Sequence, residues 1–227
     1  MQISIFVVLL IVTGTYASYQ EKDAESRLIT NQIRRVINQI RNQIRQAGYD
    51  PYRIDDFQYE HKPMPNMVEV EAFIDRLTFT GLSNIAINRL VVYILNPGLE
   101  FNFSLPELRL AIADSGVDVR VFGNKQSARL NGGLSIRNTR LAGTVRVYLI
   151  PLRVRSIRLN FQAGVFQSDL NMNVLGNDFS NDINTFFNTT VPEYFRQNAA
   201  EINRLLVQLA WDIIRGNRDF LSSYEIA

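Results

Sequence analysis

The residues whose types could do chemistry are few. Asp55 with Asp56, and Glu69 with Glu71, are carboxylate pairs of the kind that supply general acid and base to hydrolysis of an ester or glycoside. Adjacent Asp55 and Asp56 follow Pro51 and read as a solvated turn, whereas Glu69 and Glu71 share one face of an alternating strand, the wet one. His61 sits between Glu60 and Lys62 in a loop leading to Pro63 and Pro65, with no second histidine to share a metal. No Gly-Xaa-Ser-Xaa-Gly elbow and no phosphate loop occurs. Zero cysteines and a single histidine remove thiol nucleophiles, disulfides, cysteine zinc sites and histidine triads. We therefore expect no enzyme, catalytic residue, metal or cofactor; binding is the default.

Two sets of residues could bind. Phe101, Phe103, Phe161, Phe166, Phe186, Phe187, Phe195 and Trp211 all fall on expected sheet or helix elements, and most are core. Phe101, Phe103, Leu206 and Trp211 are the first candidates to line a pocket between sheet and helix. There a small hydrophobic ligand gains about 25 cal/mol per Å² of apolar area buried. The second set is basic: Arg129, Arg137, Arg140, Arg146, Arg153, Arg155 and Arg158 precede any acidic residue until Asp169. Arg140, Arg146, Arg153, Arg155 and Arg158 are candidates to grip anionic lipid, lipopolysaccharide phosphates or an acidic protein receptor, in an alternative reading without an internal ligand. Strand parity places Arg153 and Arg155 on one face and Arg140, Arg146 and Arg158 on the other, unless a bulge resets it. With 24 Lys and Arg against 22 Asp and Glu, the charge of +2 is too even for a general nucleic-acid binder.

The elements that must position these residues follow from periodicity. Ile29, Ile33, Val36, Ile37, Ile40, Ile44 and Ala47 form one stripe on a long amphipathic helix over about 27–47, stopped by Gly48. Phe195, Ala199, Ile202, Leu206, Leu209 and Ile213 form a second helix over about 192–215, entered at Pro192 and ended by Gly216. A short helical piece over 179–187 precedes it, separated by a break before Pro192. Between them, about 68–174 alternates apolar and polar residues, with turns expected at Asn96-Pro97-Gly98, Asp114-Ser115-Gly116 and Gly123-Asn124. Short connections imply an antiparallel sheet, and Asn131-Gly132-Gly133 and Gly143 imply curvature.

Residues 1–17 carry an apolar run from Ile3 to Val12 followed by small residues ending at Ala17, the form of a signal peptide. This leaves 18–227 as a single secreted, extracellular domain. Asn102-Phe103-Ser104 and Asn188-Thr189-Thr190 are sequons, so Asn102 and Asn188 are candidate glycosylation sites.

The order leader, amphipathic helix, β region, amphipathic helix resembles the tubular lipid-binding superfamily. Leu77-Thr78-Phe79-Thr80-Gly81-Leu82-Ser83-Asn84-Ile85 resembles its opening hairpin. Phe101 to Leu110 is similar to the second strand of arthropod takeout and juvenile hormone-binding-like proteins, as are Asp182, Ile183, Asn184 and Phe187 to the approach to their last helix. The first helix with Tyr49-Asp50-Pro51-Tyr52 resembles mite group 7 allergen-like proteins, and the absence of the N-terminal cysteine pair usual in takeout-like proteins fits that branch. The resemblance implies an α+β fold: a strongly curved antiparallel sheet wrapped around a long C-terminal helix, with a long N-terminal helix. It also implies a lipid-like ligand, a fatty acid or a terpenoid, in an apolar tunnel or groove, and supplies no catalytic motif.

Overall fold

A computed structural model describes residues 22–64, 67–149 and 152–215; the leader expected over 1–17 and the stop at Gly216 lie outside them. The first helix, α1 (Lys22–Gln46), begins about five residues earlier than the expected start near 27. It ends as glycine permits: Gly48 takes φ 74°, its N–H reaches the Arg45 carbonyl at 3.0 Å, and Tyr49 N–H reaches that of Ile44 at 3.0 Å. The stripe docks as expected. Ile33 and Ile37 are buried with Val92, and Ile29, Ile85, Ile87, Leu90, Leu99 and Phe103 close around them.

The strands are β1 (Tyr52–Met64), β2 (Val68–Thr80), β3 (Ala86–Tyr93), β4 (Gly98–Val121), β5 (Asn124–Leu149), β6 (Leu152–Gln162), β7 (Val165–Val174) and β8 (Asn177–Asp178). All pairings are antiparallel in one sheet. Two long strands organise it: β4 has 24 residues and β5 has 26, joined by a two-residue turn at Phe122-Gly123. β3 pairs with the first part of β4 and β2 with the rest, so these two lie end to end along it. β6 and β7 do the same along β5. The Gly81-Leu82-Ser83 segment is thus a corner between collinear strands rather than the turn of a hairpin.

Three further expectations are corrected. The β region starts at Tyr52, not 68: β1 is an exposed edge strand, and Pro63 is tolerated where its ladder skips from His61 to Met64. Asp114-Ser115-Gly116 does not turn the chain; β4 passes through it with a register shift between Ile112 and Ser115. The C-terminal helix is two helices. α2 (Ser180–Thr185) runs through a π-helical turn (Phe186–Thr190) into α3 (Val191–Gln197), and α4 (Ala199–Arg215) follows a break at Asn198. No break precedes Pro192, because the wider π turn leads directly into the helix that carries the proline near its start, where its missing N–H is least needed.

Curvature has identifiable causes. Gly132 takes φ 113°, and a Cβ there would stand 2.2 Å from the Asp169 carbonyl oxygen on β7. Pro106 and Asn138 are skipped between the Leu105 and Thr139 pair and the Glu107 and Arg137 pair, with Asn138 at φ 60°. Across that point the apolar residues of β4 change phase, from Leu99, Phe101, Phe103 and Leu105 to Leu108, Leu110 and Ile112. Both phases serve one concave side. Phe161, in register with Leu141 and Phe103, and Phe166, in register with Ile136 and Leu108, both meet Phe195 of α3, at ring distances of 6.1 and 5.9 Å.

Candidate functional site

The concave apolar face ends in a groove. Met172 and Val174 of β7, Phe179 before α2, Asp182 and Ile183 of α2 and Phe186 of the π turn line a cavity of about 420 Å³. That size suits a small ligand. Phe179 and Phe186 are 40% and 47% exposed, unusual for phenylalanines that have a concave surface to fill. α4 buries none of its residues, and Leu205 and Ile213 are among its exposed apolar side chains.

The wall of this groove is held by polar side chains against the free edge of β7. Ser180, Asn184 and Asn188 recur every four residues, about 6 Å of helix, and meet Met172, Leu170 and Ser168, which recur every two residues, about 6.6 Å of strand. Met172 N–H donates to Ser180 Oγ at 3.0 Å. Asn184 Oδ1 accepts from Leu170 N–H at 2.8 Å and from the Ser168 hydroxyl at 2.6 Å, while its Nδ2 donates to the Leu170 carbonyl at 2.8 Å. Asn188 Oδ1 accepts from Ser168 N–H at 2.7 Å, and its Nδ2 faces the Ser168 carbonyl at 3.4 Å. The amides act as a substitute strand, so the sequon asparagine Asn188 has both polar atoms engaged. The other sequon asparagine, Asn102, accepts from Asn88 Nδ2 at 3.1 Å on the polar side of β4.

The four apolar candidates separate into two pairs. Phe101 and Phe103 stack on each other at 4.9 Å, and Phe103 packs against the α1 core. Leu206 and Trp211 are half-buried on α4, which packs on β6 and anchors there through Phe161 N–H donating to Asn203 Oδ1 at 2.8 Å. Strand β5 lies between β4 and β6. Arg215 stands over the Trp211 ring at 5.3 Å. The groove residues Met172, Val174 and Phe179 were missed because nothing local marks the end of a strand as a cavity wall.

On the opposite, polar side a bulge overturns the division of the arginines between two faces that strand parity predicts. β5 and β6 shift register between Arg146 and Val147, pairing Arg146 with Ser156 and Val147 with Val154, which leaves Arg155 unpaired. Arg146, Arg155 and Arg158 then line a second cavity of about 460 Å³ with Asn96, Thr144 and Ser156. Arg153 and Arg155 both lie over the Tyr148 ring, at 4.6 and 5.6 Å. Arg140 pairs with Ser104 and Gln162 farther along the sheet, in phase with Arg146 and Arg158.

Glu69, Glu71 and Asp56 have structural partners. Glu69 and Glu71 both face Arg120, at 3.2 and 3.5 Å, and exposed His61 stacks on Tyr59 at 6.3 Å. Asp56 accepts from Gln58 at 3.4 Å. The Arg129 fork bonds Asp118 at 2.8 and 3.0 Å and, with Lys125 at 3.0 Å, holds its carboxyl below the ordinary range against the upward push of burial. Asp50 ties the first helix to the corner. Burial pushes its pKa up, but bonds from the Ser83 hydroxyl and N–H and the Gly81 N–H, with the nearby Arg45 charge, hold it below the usual value. Arg45 Nε in turn donates to Ser83 Oγ at 2.9 Å, and Arg41 donates to the Ile85 carbonyl. Among the described residues, no three His, Cys, Asp or Glu side chains cluster as metal ligands do, and no helix is long and apolar enough to cross a membrane.

Comparison with known proteins adds the family. Takeout 1 from Epiphyas postvittana is 13% identical with a TM-score of 0.38, over 79% of this chain and 88% of that one. A lipopolysaccharide binding protein is 13% identical with a TM-score of 0.23, over 68% of this chain and 35% of its own. No curated protein sequence matches. The family model for haemolymph juvenile hormone binding protein matches residues 7–217, which takes in both terminal helices, the whole sheet and the groove. The chain belongs to the haemolymph juvenile hormone binding protein family.

Proposed function

We propose that this protein is a secreted carrier that binds a small hydrophobic molecule, a lipid, fatty acid or terpenoid, on the concave face of its sheet. The observation that carries the reading is the open apolar groove of Met172, Val174, Phe179, Ile183 and Phe186 at the end of a continuous apolar sheet face. The match to a family described as haemolymph hormone-binding proteins supports both ligand binding and an extracellular place. The leader over 1–17 supports the same compartment. Ligand enters at the groove and lies along the sheet towards α4, with Phe101, Phe103, Leu206 and Trp211 as more distant walls. Burying ~300 Å² of apolar ligand surface contributes about 7 kcal/mol before the cost of association. No covalent step is involved, and exchange occurs through the open side.

Native mass spectrometry of protein purified without detergent, followed by solvent extraction, tests this. A stoichiometric lipid or terpenoid is the expected result. Ile183→Arg, which places a charge in the groove, should weaken binding of a fluorescent fatty acid about tenfold or more. A clean apo mass together with no probe binding at micromolar concentration would overturn the carrier reading.

A further inference from the structure

We propose that Arg146, Arg155 and Arg158 form a binding site for a phosphate group, on the polar side of the sheet and independent of the apolar groove. Three arginines line one cavity of about 460 Å³, together with Asn96, Thr144 and Ser156. The arrangement is built by two local features. The β6 bulge brings Arg155 beside residues from which strict alternation would separate it. Gly98, directly across from Arg146, leaves room both for the β5 backbone and for the arginine stem; a Cβ there would stand 2.6 Å from the Val145 carbonyl oxygen and 2.8 Å from Arg146 Cδ.

Arg146 and Arg155 are held in place without an ion pair. Arg146 donates to the Asn96 carbonyl at 2.9 Å and lies over the Tyr93 ring at 4.8 Å; Arg155 lies over Tyr148. Neither contact cancels the charge, and most of each guanidinium's N–H donors are left available. Among the described residues Arg140, Arg146, Arg153, Arg155 and Arg158 make no ion pair, whereas Arg89, Arg109, Arg120, Arg129, Arg137, Arg196 and Arg204 all do. Glu100, in register with Thr144, is committed elsewhere: Arg89 Nε binds it at 2.6 Å and the Tyr93 hydroxyl donates to it at 2.7 Å. Those bonds, the tyrosine's foremost, hold its carboxyl below the ordinary range, with Arg146 a lesser contributor. A cavity lined by donors on several sides suits a tetrahedral dianion better than a planar carboxylate, which one arginine fork satisfies.

The group recognised is a phosphate, borne by a phospholipid headgroup or by a soluble phosphomonoester, and the test separates the two. ³¹P line broadening of inorganic phosphate by the full protein reads the site directly. Flotation with phosphatidylcholine vesicles, with and without phosphatidic acid, reads the membrane. Broadening with flotation that phosphate competes away assigns a headgroup; broadening without flotation assigns a soluble phosphomonoester; flotation alone, lost in R155Q/R158Q, assigns a headgroup held at the surface. R155Q/R158Q should lose about tenfold or more of the binding, while R109Q/R137Q, which removes the same charge beside Glu107, should change it less than about twofold. Neither broadening nor flotation in the unmutated protein would overturn the proposal, as would equal losses in the two double variants.

Discussion

Removing the amide of Asn184 should be among the costliest single changes outside the apolar core. Asn184→Ala leaves Leu170 N–H and C=O without partners, at a residue only 4% exposed, and frees the hydroxyl of Ser168, 8% exposed. The hydroxyl can rotate to another acceptor, but the two backbone groups cannot. At about 1 to 3 kcal/mol for each stranded buried group, the loss is about 3 kcal/mol, or about 6 to 12 °C in Tm for a domain of this size. Asn171→Ala is the control. Its side chain bonds only to Asn131 at 3.0 Å on the exposed side of the same strand, so its loss should stay below about 0.5 kcal/mol. Urea titration followed by the fluorescence of Trp211, the single tryptophan, gives both values, with unchanged slopes as the condition for comparing midpoints. A loss below about 1 kcal/mol for Asn184→Ala, no greater than twice the control, would show that water satisfies the β7 edge and that the side-chain ladder does not hold the groove wall.

Other consequences follow from the same geometry. Asp50 and Asp118 titrate below their ordinary values in the folded chain, so their stabilisation is complete above the unfolded carboxyl range near pH 4 and is lost as pH falls through their folded values. Urea midpoints should hold level from neutral pH to about 5 and then drop, and a rise below pH 4 would refute the assignment. Gly132→Ala should destabilise by about 2 kcal/mol or more, since φ 113° and a 2.2 Å approach to Asp169 both exclude a side chain; a thermal melt within 2 °C of the parent, about the effect of 1 kcal/mol or less, would contradict that. Peptide mapping of protein from a glycosylating host should find Asn188 unmodified, because a glycan there competes with the Ser168 bonds; stoichiometric modification with unchanged stability would refute this.

The helices were legible because their information is periodic and local. Ile33 and Ile37, on the predicted stripe, are the most buried residues of α1. Gly48 stops it by a mechanism that needs only the glycine. Strand β1 was not legible, since an edge strand exposed along nearly its whole length has no reason to alternate, and Pro51 and Pro63 read as loop. Asp114-Ser115-Gly116 carries the composition of a turn, yet partners on both sides, β2 and β5, hold it extended. The carboxylate pairs are visible in the sequence, but the ties of Glu69 and Glu71 to Arg120 depend on which strand lies next to β2. The basic pocket was half legible: the run of unopposed arginines is in the sequence, whereas the bulge that gathers them is set by pairing between β5 and β6. The apolar groove was least legible. Its walls come from the end of β7 and a helix whose placement is fixed by asparagines meeting backbone groups, a recognition that no single segment encodes.

The long central strands also set the order in which the chain can assemble. Phe122 and Gly123, at φ 49° and 81°, form a tight closure matched to strand twist, so β4 and β5 can zip from that point on the microsecond scale of a hairpin. β2, β3, β6 and β7 each dock on this template, and for β2 and β7 the partner residues lie tens of positions away, where loop closure is slow. During synthesis from the N-terminus, α1 and the first three strands leave the ribosome before their template exists. A nascent chain that ends at Pro97 has β1 and β2 to pair with each other and the stripe of α1 to pack on Val92, Ile85, Ile87 and Leu90, but the ladders of β2 and β3 and the Leu99 and Phe103 side of that core wait for β4. The sheet is therefore complete only once β4 and β5 exist, and yield in a cell depends on keeping the open edges of β2 and β3 from sticking to other chains until the hairpin arrives.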